Sequence, residues 1–361
     1  MRPQTRLVPI FLLLLGSIVP CHPQAQPPPD AFLFNDSHFH LTNYIQEGVG
    51  IREFLKIMGT RTGRVALFGI PLQQQWSYRN SGDTAPTYYL DTDAPLYYYS
   101  FTDASIAQTF LSLAPEDRKR FDPMITGFNP ADMYAADHIR RVLLTFPGVF
   151  SGIGEFTIHK EFVSSKVAGE VASLQDPALD RILDFAGEVG LAVILHSDID
   201  VPFPKPGAPP MYLAQMKALL RKHPSATIIW AHTGVGRVIR PVENHGAMLE
   251  EILRDPALRH VHFDISWDLV ARYIVASEQS IKSSAELINR YPDRFLFGTD
   301  EVAPRTQEQY GKVFEMYAPL WQALGSEASE KVRKGNYERI FDSARSRVRA
   351  WEHAHLAATV R

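Results

Sequence analysis

The feature that most constrains the fold of this chain is a regular alternation of short apolar runs, rich in β-branched residues, with longer segments of helical periodicity. Eight such runs follow one another between residues 31 and 300. This alternation is typical of βαβ units built on a parallel sheet. Eight consecutive units favour a closed (β/α)₈ TIM barrel over an open doubly wound sheet.

The apolar runs give the strand positions, and the helical patterns fill the segments between them. The first strand ends at His40, and the others are predicted at residues 64–70, 121–128, 149–156, 191–196, 227–232, 261–266 and 295–300. Helices are predicted at residues 132–145, 176–190, 211–222, 243–254 and 278–291. Two C-terminal helical stretches, 327–334 and 337–358 within 326–358, are expected to pack over the barrel.

Size and charge limit the classes of function. A chain of 361 residues is compatible with one α/β barrel, so we predict a single domain over residues 27–361. The formal charge of −3 gives no indication of nucleic acid as a partner. After the N-terminus no run approaches the ~20 apolar residues of a membrane span. A small-molecule substrate is expected, and the sequence does not define the oligomeric state.

Residues 1–26 have the pattern of a secretory signal peptide. Arg2 and Arg6 precede an apolar stretch over residues 7–19, and a proline-rich exit follows. We therefore expect an exported protein, periplasmic or secreted. The single cysteine, Cys21, follows Pro20, which fits lipoprotein processing badly. If Cys21 is removed with the signal peptide, any metal ligands must be His, Asp or Glu.

The first candidate site is the segment Asp36-Ser37-His38-Phe39-His40. Alternate residues of a strand point to the same face, so His38 and His40 would lie side by side at the end of the first strand. Two neutral imidazoles in this arrangement are suited to one metal ion. A lone His-x-His pair is a weak signal, and further ligands are needed to support it.

Four more ligand-type residues each close a predicted strand: Glu155, His196, His232 and Asp300. In a parallel barrel all carboxyl ends of the strands face the same rim, so we expect the six side chains to converge there as a metal site. Taken singly, each has an ordinary alternative. A strand-end histidine is often a hydrogen-bonded rim residue, a carboxylate can cap the next helix, and Glu155 can pair with His159 or Lys160.

The ordered set of strand-end residues resembles the amidohydrolase superfamily. The segments Tyr291-Pro292-Asp293-Arg294-Phe295-Leu296-Phe297-Gly298-Thr299-Asp300 and Gly335-Asn336-Tyr337-Glu338-Arg339-Ile340-Phe341 are similar to its amidohydrolase-2 branch, and the resemblance covers residues 34–341. It implies a (β/α)₈ barrel, a divalent metal that is usually zinc, and hydrolysis or, in some members, non-oxidative decarboxylation.

The resemblance also implies roles for the ligands. His38 and His40, with Asp300 or His196, would hold a metal that keeps an open position for water and lowers the pKa of that water to about 7. Asp300 would move the proton from the water to the leaving group, and His232 is the second predicted catalytic residue. If Glu155 bridges to a second ion held by His196 and His232, the site contains two metals. The sequence is compatible with either one or two ions.

Three functions are compatible with these residues. The leading hypothesis is an exported metal-dependent hydrolase of a C–N or C–O bond, as in an amide, cyclic amide, ester or lactone. The alternative is a metal-dependent decarboxylase of an aromatic or unsaturated acid. A metal-free binding protein on the same scaffold is the third, and the presence of all six ligand-type residues argues against it.

Other residues near the predicted rim have weaker signals. The long insertion at residues 72–105 contains many tyrosines and forms either an aromatic loop core or a lid over the substrate, and residues 201–210 are rich in proline. Substrate contacts are expected from residues 266–268, and a basic clamp from Arg79 or Lys160. His262 and Asp264 are expected to be structural, and the histidines away from strand ends are expected on the surface or in loops.

Overall fold

The computed structural model describes residues 32–43, 47–70, 75–76, 90–91, 101–160, 172–205, 207–237 and 239–359. Residues 1–26, Arg79 and most of the 72–105 insertion lie outside these ranges, so the predictions made for them stay predictions. Within the described ranges, no helix combines the length and the apolar character needed to cross a membrane.

A parallel sheet of nine strands forms the centre of the molecule, in the spatial order β10-β9-β8-β7-β6-β5-β2-β1-β11. Its strands are β1 (Phe34–His40), β2 (Thr62–Phe68), β5 (Phe121–Ile125), β6 (Gly152–Thr157), β7 (Ala192–His196), β8 (Thr227–Trp230), β9 (Val261–Asp264), β10 (Phe295–Leu296) and β11 (Glu301–Val302). Two further strands in the insertion, β3 (Gln75–Trp76) and β4 (Leu90–Asp91), pair only with each other.

The eighth barrel strand is split into β10 and β11, and these two short strands join the edges of the sheet. β10 pairs with β9, and β11 pairs with β1. Between them, the Asp300 amide donates to the His38 carbonyl at 2.8 Å. The continuous strand predicted at 295–300 is therefore wrong, because Asp300 has a φ of 55° and leaves the extended region. The prediction of a TIM barrel is confirmed.

The helices of the described chain include the five predicted between the strands, whose ends differ by at most three residues from the predicted ones. They are α1 (Ile51–Met58), α2 (Thr102–Leu111), α3 (Pro115–Arg118), α4 (Ala135–Thr145), α5 (Pro177–Val189), α6 (Leu213–Lys222), α7 (His245–Arg254), α8 (Asp268–Ile274), α9 (Glu278–Arg290), α10 (Gln307–Met316), α11 (Ala318–Ala323), α12 (Ser326–Glu330) and, after a π-helical turn (Lys331–Gly335), α13 (Asn336–Thr359).

Helix α5 shows how the sequence determines these boundaries. The side chain of Asp176 accepts a hydrogen bond from the Ala178 amide at 2.9 Å, and Pro177 occupies the first helical position. Gly190 ends the helix with a φ of 86°, a left-handed conformation that costs glycine little. The apolar residues between these ends are buried against the sheet.

Helix α13 closes the amino end of the barrel. Its residues Tyr337, Ile340, Phe341 and Ala344 pack against apolar side chains from the barrel interior. The hydroxyl group of Tyr337 donates at 2.8 Å to the buried carboxylate of Asp122, the second residue of β5. The interior is therefore filled from this end, and the carboxyl ends of the strands form the opposite end.

Candidate metal centre and active site

The six residues predicted as metal ligands come together at the carboxyl ends of the strands. They are His38 and His40 of β1, Glu155 of β6, His196 of β7, His232 just after β8, and Asp300 between β10 and β11. Five of them are at most 3% exposed, whereas the Asp300 side chain is 10% exposed. Side chains more than 250 positions apart in the sequence thus share one buried site.

His38, His40 and Asp300 form the first group of potential ligands. Asp300 Oδ1 lies 3.1 Å from His40 Nε2 and 3.4 Å from His38 Nε2. Ligand atoms about 2.0–2.1 Å from a tetrahedral zinc ion are separated from one another by about 3.3 Å. The spacing within this group therefore fits a single ion.

Glu155, His196 and His232 form the second group, and Glu155 lies between the two groups. Glu155 Oε1 is 2.6 Å from His196 Nδ1 and 3.5 Å from His232 Nε2. Its other oxygen, Oε2, is 3.6 Å from His40 Nε2 in the first group. The preceding Gly154 permits this position, because a Cβ atom there would lie 2.5 Å from the carbonyl oxygen of Ile194.

Hydrogen bonds behind the rings orient both histidines of the first group. His40 Nδ1 lies 2.8 Å from the Gly69 carbonyl oxygen, an acceptor only, so the ring proton is on Nδ1. His38 Nδ1 lies 3.1 Å from Asp264 Oδ2 and donates in the same way. In the neutral form of each ring, the Nε2 lone pair faces the site and is available to a metal.

The tautomer of His232 follows from its contact with Ser266. The Ser266 hydroxyl donates its one proton to Asp264 Oδ1, so it accepts a hydrogen bond from His232 Nδ1 at 2.9 Å. The Nε2 lone pair of His232 therefore also faces the site. His196 differs, since Nδ1 faces Glu155 and Nε2 lies 3.2 Å from Asp198.

Three buried polar atoms in the site have no hydrogen-bond partner among the described residues. They are His38 Nε2, His232 Nε2 and Glu155 Oε2. Buried polar groups are nearly always satisfied, and orphaned ones that converge on a point indicate a missing partner. Imidazole nitrogens and carboxylate oxygens are ligands that zinc accepts, so the residues present fit a divalent metal.

The charges of the site are strongly coupled. Burial alone would lower the pKa of His38, but Asp264 and Asp300 raise it to about 9. Burial would raise the pKa of Glu155, yet Lys160 and His196 hold it well below the ordinary value. The pKa of Asp300 is likewise lowered, because His38 and His40 outweigh burial. Both carboxylates are therefore ionised and attract cations into the site.

Comparison with known proteins identifies the family. The family model described as amidohydrolase matches residues 35–342. The chain belongs to the amidohydrolase family. Its members are metal-dependent enzymes, hydrolases or decarboxylases, so the resemblance predicted from the sequence is confirmed. Among curated proteins, none matches the sequence.

Solved structures similar to this amidohydrolase support the barrel. An uncharacterized TIM-barrel protein from Bordetella bronchiseptica is 14% identical, with a TM-score of 0.52 over 86% of this chain and 99% of the other. A proposed 2-pyrone-4,6-dicarboxylic acid hydrolase from Pseudomonas putida is 13% identical, with a TM-score of 0.51 over 86% and 98%. An amidohydrolase from Burkholderia multivorans with bound zinc is 14% identical, with a TM-score of 0.51 over 86% and 99%. At these identities the likeness shows the fold.

Asp264 was predicted to be structural, but in this amidohydrolase it contacts residues of the site. Besides His38 Nδ1 and the Ser266 hydroxyl, it accepts the His232 backbone amide at 2.8 Å. It therefore contacts one histidine from each group. Its position near the carboxyl end of the predicted strand, two residues before Ser266, was the available signal, but strand periodicity does not identify the partners of a residue.

A second buried carboxylate, Asp36, lies one layer below the histidines. It accepts hydrogen bonds from the His38 amide at 2.9 Å, from the Thr299 hydroxyl at 2.6 Å and from the Tyr310 hydroxyl at 2.7 Å. These contacts connect β1 to the segment that carries Asp300. Asp36 thus fixes the two parts of the first ligand group relative to each other.

Basic and aromatic residues border the metal centre. The ring of Trp267 lies 5.1 Å from the ring of His232. Lys160 Nζ is 5.8 Å and Arg237 Cζ is 5.5 Å from the centroid of the same indole ring. Lys160 is only 7% exposed, and its Nζ lies 3.8 Å from Glu155 Oε1. An aromatic surface with two cations beside it thus adjoins the proposed ligands.

The backbone is strained at several of these positions. His232, Thr233, Trp267 and Asp300 have φ values of 55°, 54°, 82° and 55°, which non-glycine residues rarely adopt. Each such residue costs of order 1–3 kcal/mol, and such strain clusters at functional sites. The concentration of strained residues around the proposed ligands agrees with an active site here.

Of the histidines expected on the surface or in loops, His223 is buried and His159 is half-buried. His223 is 1% exposed and lies 2.8 Å from both Asp180 and Asp184. The ring of His159 stacks on Tyr212 at 3.7 Å, and burial lowers its pKa to about 4. Neither belongs to the two ligand groups.

Proposed function

We propose that this amidohydrolase is a metal-dependent hydrolase that cleaves a C–N or C–O bond in a small anionic substrate. The observation that carries the proposal is the position of Glu155 between the two ligand groups. A carboxylate shared by two groups of imidazoles suits a pair of divalent ions, and two-metal sites stabilise both the attacking and the leaving oxygen of a displacement.

Each of the two ligand groups would hold one of the two ions. One ion would be held by His38, His40 and Asp300, and a second by His196 and His232, with Glu155 available to both. Zinc suits this nitrogen and oxygen donor set. Bound there, a divalent metal supplies Lewis acidity and a water of lowered pKa.

Asp300 is the proposed proton carrier. Its lowered pKa keeps the carboxylate ionised at neutral pH, so it can accept the proton of the attacking water. Its side chain is the most exposed of the six, at 10%, and therefore the one most open to the mouth of the barrel. The carboxylic acid formed in this step can then protonate the departing nitrogen or oxygen.

His232 has the role of a ligand in this proposal. Its proton lies on Nδ1 in the contact with Ser266, so Nε2 has no proton to donate toward the substrate. Burial lowers the pKa of His232 and keeps the ring neutral. Ser266 and Asp264 maintain this state by fixing the orientation of the ring.

The anionic class of substrate rests on Lys160, Arg237 and Trp267. Two cations beside one indole ring, close to the ligands, favour a planar substrate that carries a carboxylate. A planar group would pack against the ring while the carboxylate pairs with the ammonium or guanidinium group. Arg237 thus adds a second cation to the basic clamp predicted at Lys160.

The test combines metal analysis with a substrate panel. We expect purified protein to contain zinc or another divalent metal and to release acid from lactones or anilides, faster when these carry a carboxylate. A chelator should abolish the release, and added metal should restore it. Asp300→Asn should lower kcat by about 10²–10⁴-fold, the usual contribution of general acid–base catalysis.

Asp103→Asn is the matched control, because Asp103, in the first turn of α2, is also buried but accepts from the backbone amides of Thr126 and Gly127, which follow β5. Its activity should stay near that of the wild type. Release of CO₂ from benzoate-type acids without hydrolysis would assign the decarboxylase reaction instead. Full activity in the presence of chelator would contradict metal dependence.

We also propose that the protein is exported, with residues 1–26 as the signal peptide. The basic start, apolar stretch and proline-rich exit support this proposal. Expression of the full chain in a Gram-negative host, followed by fractionation and mass analysis of the mature N-terminus, tests it. An uncleaved chain confined to the cytoplasm would contradict it.

A further inference from the structure

A cavity separate from the metal centre lies outside the barrel wall, between the helices α7, α8 and α9. Its volume is about 220 Å³. Ile265 and Phe295 of the barrel form its floor, and Leu249 and Ile288 form part of its sides. The described residues that line it are mostly apolar, and none is an acid, a lysine or an arginine. The cavity is thus distinct from the charged metal centre.

His245 is the main polar side chain in this cavity. Both of its ring nitrogens are buried; the Thr233 backbone carbonyl faces one of them, and the other has no partner among the described residues. Burial lowers the pKa of His245 to about 4, so the ring is neutral at pH 7; its N–H points to Thr233 and the other nitrogen is an acceptor. Since buried polar groups are nearly always paired, the ring indicates a partner that the described chain does not supply.

The size and access of the cavity are suited to a small molecule. An apolar cavity of about 150 Å³ in a folded protein is large enough to bind benzene. The present cavity has room for a ring with substituents. Gly246 and Ser283 on its edge are exposed, which leaves an entrance between α7 and α9.

We propose that this cavity binds a neutral single-ring alcohol or phenol. The ring occupies the apolar part, and the hydroxyl group donates to the His245 nitrogen that has no partner. A carboxylate is excluded because no lysine or arginine among the described lining residues would compensate its charge. The ligand therefore differs in charge from the anionic substrate proposed for the metal centre.

The experiment is a calorimetric titration of metal-loaded protein with p-cresol, with p-xylene as the matched probe that lacks the hydroxyl group. We expect one p-cresol site per chain and binding of p-xylene about 10-fold weaker, the effect of one buried hydrogen bond. His245→Phe should weaken p-cresol binding by about the same factor. Leu249→Trp should abolish it by filling the cavity.

Controls separate this site from the metal centre. Glu251→Gln, on the exposed face of α7, and Asp300→Asn should bind p-cresol as the wild type does. Ile288→Phe is a second variant that fills the cavity, and it replaces Leu249→Trp if that variant does not fold. Absence of p-cresol binding, equal affinity for p-xylene, or unchanged binding in a folded filling variant would overturn the proposal.

Discussion

Replacement of Asp264 by Asn tests whether this carboxylate orients the ligands on both sides of the metal centre. In the wild type, Asp264 accepts from His38 Nδ1 at 3.1 Å and from the Ser266 hydroxyl, which in turn fixes His232. An amide at this position has only one acceptor oxygen. Either its NH₂ group faces the N–H of His38, or it faces the His232 backbone amide and Ser266, whose hydroxyl proton then turns toward His232. In both cases one histidine no longer directs its Nε2 lone pair into the site.

The expected loss follows from the number of ligands affected. Removing the partner behind a metal-bound histidine typically lowers metal affinity 10–100-fold. At about 1.4 kcal/mol per factor of ten, this is about 1.4–2.8 kcal/mol for the ion whose ligand is misoriented. The effect should be confined to one ion, because the amide can still satisfy the other histidine. Titration of metal-free protein with zinc against a chelating dye measures the two affinities.

Asp103→Asn again serves as the control for loss of a buried carboxylate. We expect its zinc affinities to equal those of the wild type, and thermal melts should show both variants to be folded. Wild-type affinity for both ions in Asp264→Asn would refute the role assigned to this carboxylate. A uniform loss of both ions would show that Asp264 supports the fold of the site as a whole.

Three further predictions address metal content, stability and pH dependence. Glu155→Gln should reduce bound metal from two ions per chain to one, measured by mass spectrometry; retention of two would contradict a shared carboxylate. Asp122→Ala removes the buried acceptor of Arg64 and Tyr337, so urea unfolding should show a loss of about 3 kcal/mol, and an unchanged midpoint would refute this. Burial, with nearby cations, lowers the pKa of His262 to about 3, so the folded state binds fewer protons than the unfolded state between pH 3 and 6.5. This histidine alone should therefore lower the stability by about 2 kcal/mol from pH 7.5 to 5. His262→Gln should remove this contribution from the pH dependence of the unfolding free energy, and an unchanged pH slope would contradict it.

The barrel and the six strand-end residues could be predicted because both depend on local patterns. Short apolar runs mark the strands, and parallel strands bring their carboxyl ends to one rim whatever their separation in the sequence. The same rule placed His38 and Asp300 together without a structure. Their distances now show that the rule also applies where the strand is interrupted.

Other parts of the site depend on contacts that no local pattern encodes. The split of the eighth strand requires the positive φ of Asp300, and a run of strand-forming residues gives no sign of it. The role of Asp264 depends on the proton of the Ser266 hydroxyl, since that proton determines which nitrogen of His232 is free. Arg237 reaches Trp267 only because two loops from different strands meet.

The helix that seals the amino end of the barrel has a kinetic consequence. With Tyr337 and Phe341 filling that end, the described residues leave the opposite rim as the route into the interior. Substrate and water enter, and products leave, by this route, so product release can delay the binding of the next substrate. The loops at this rim then influence the turnover rate as well as the selectivity. Substitutions in them should change the rate of product release even where the catalytic residues are unchanged.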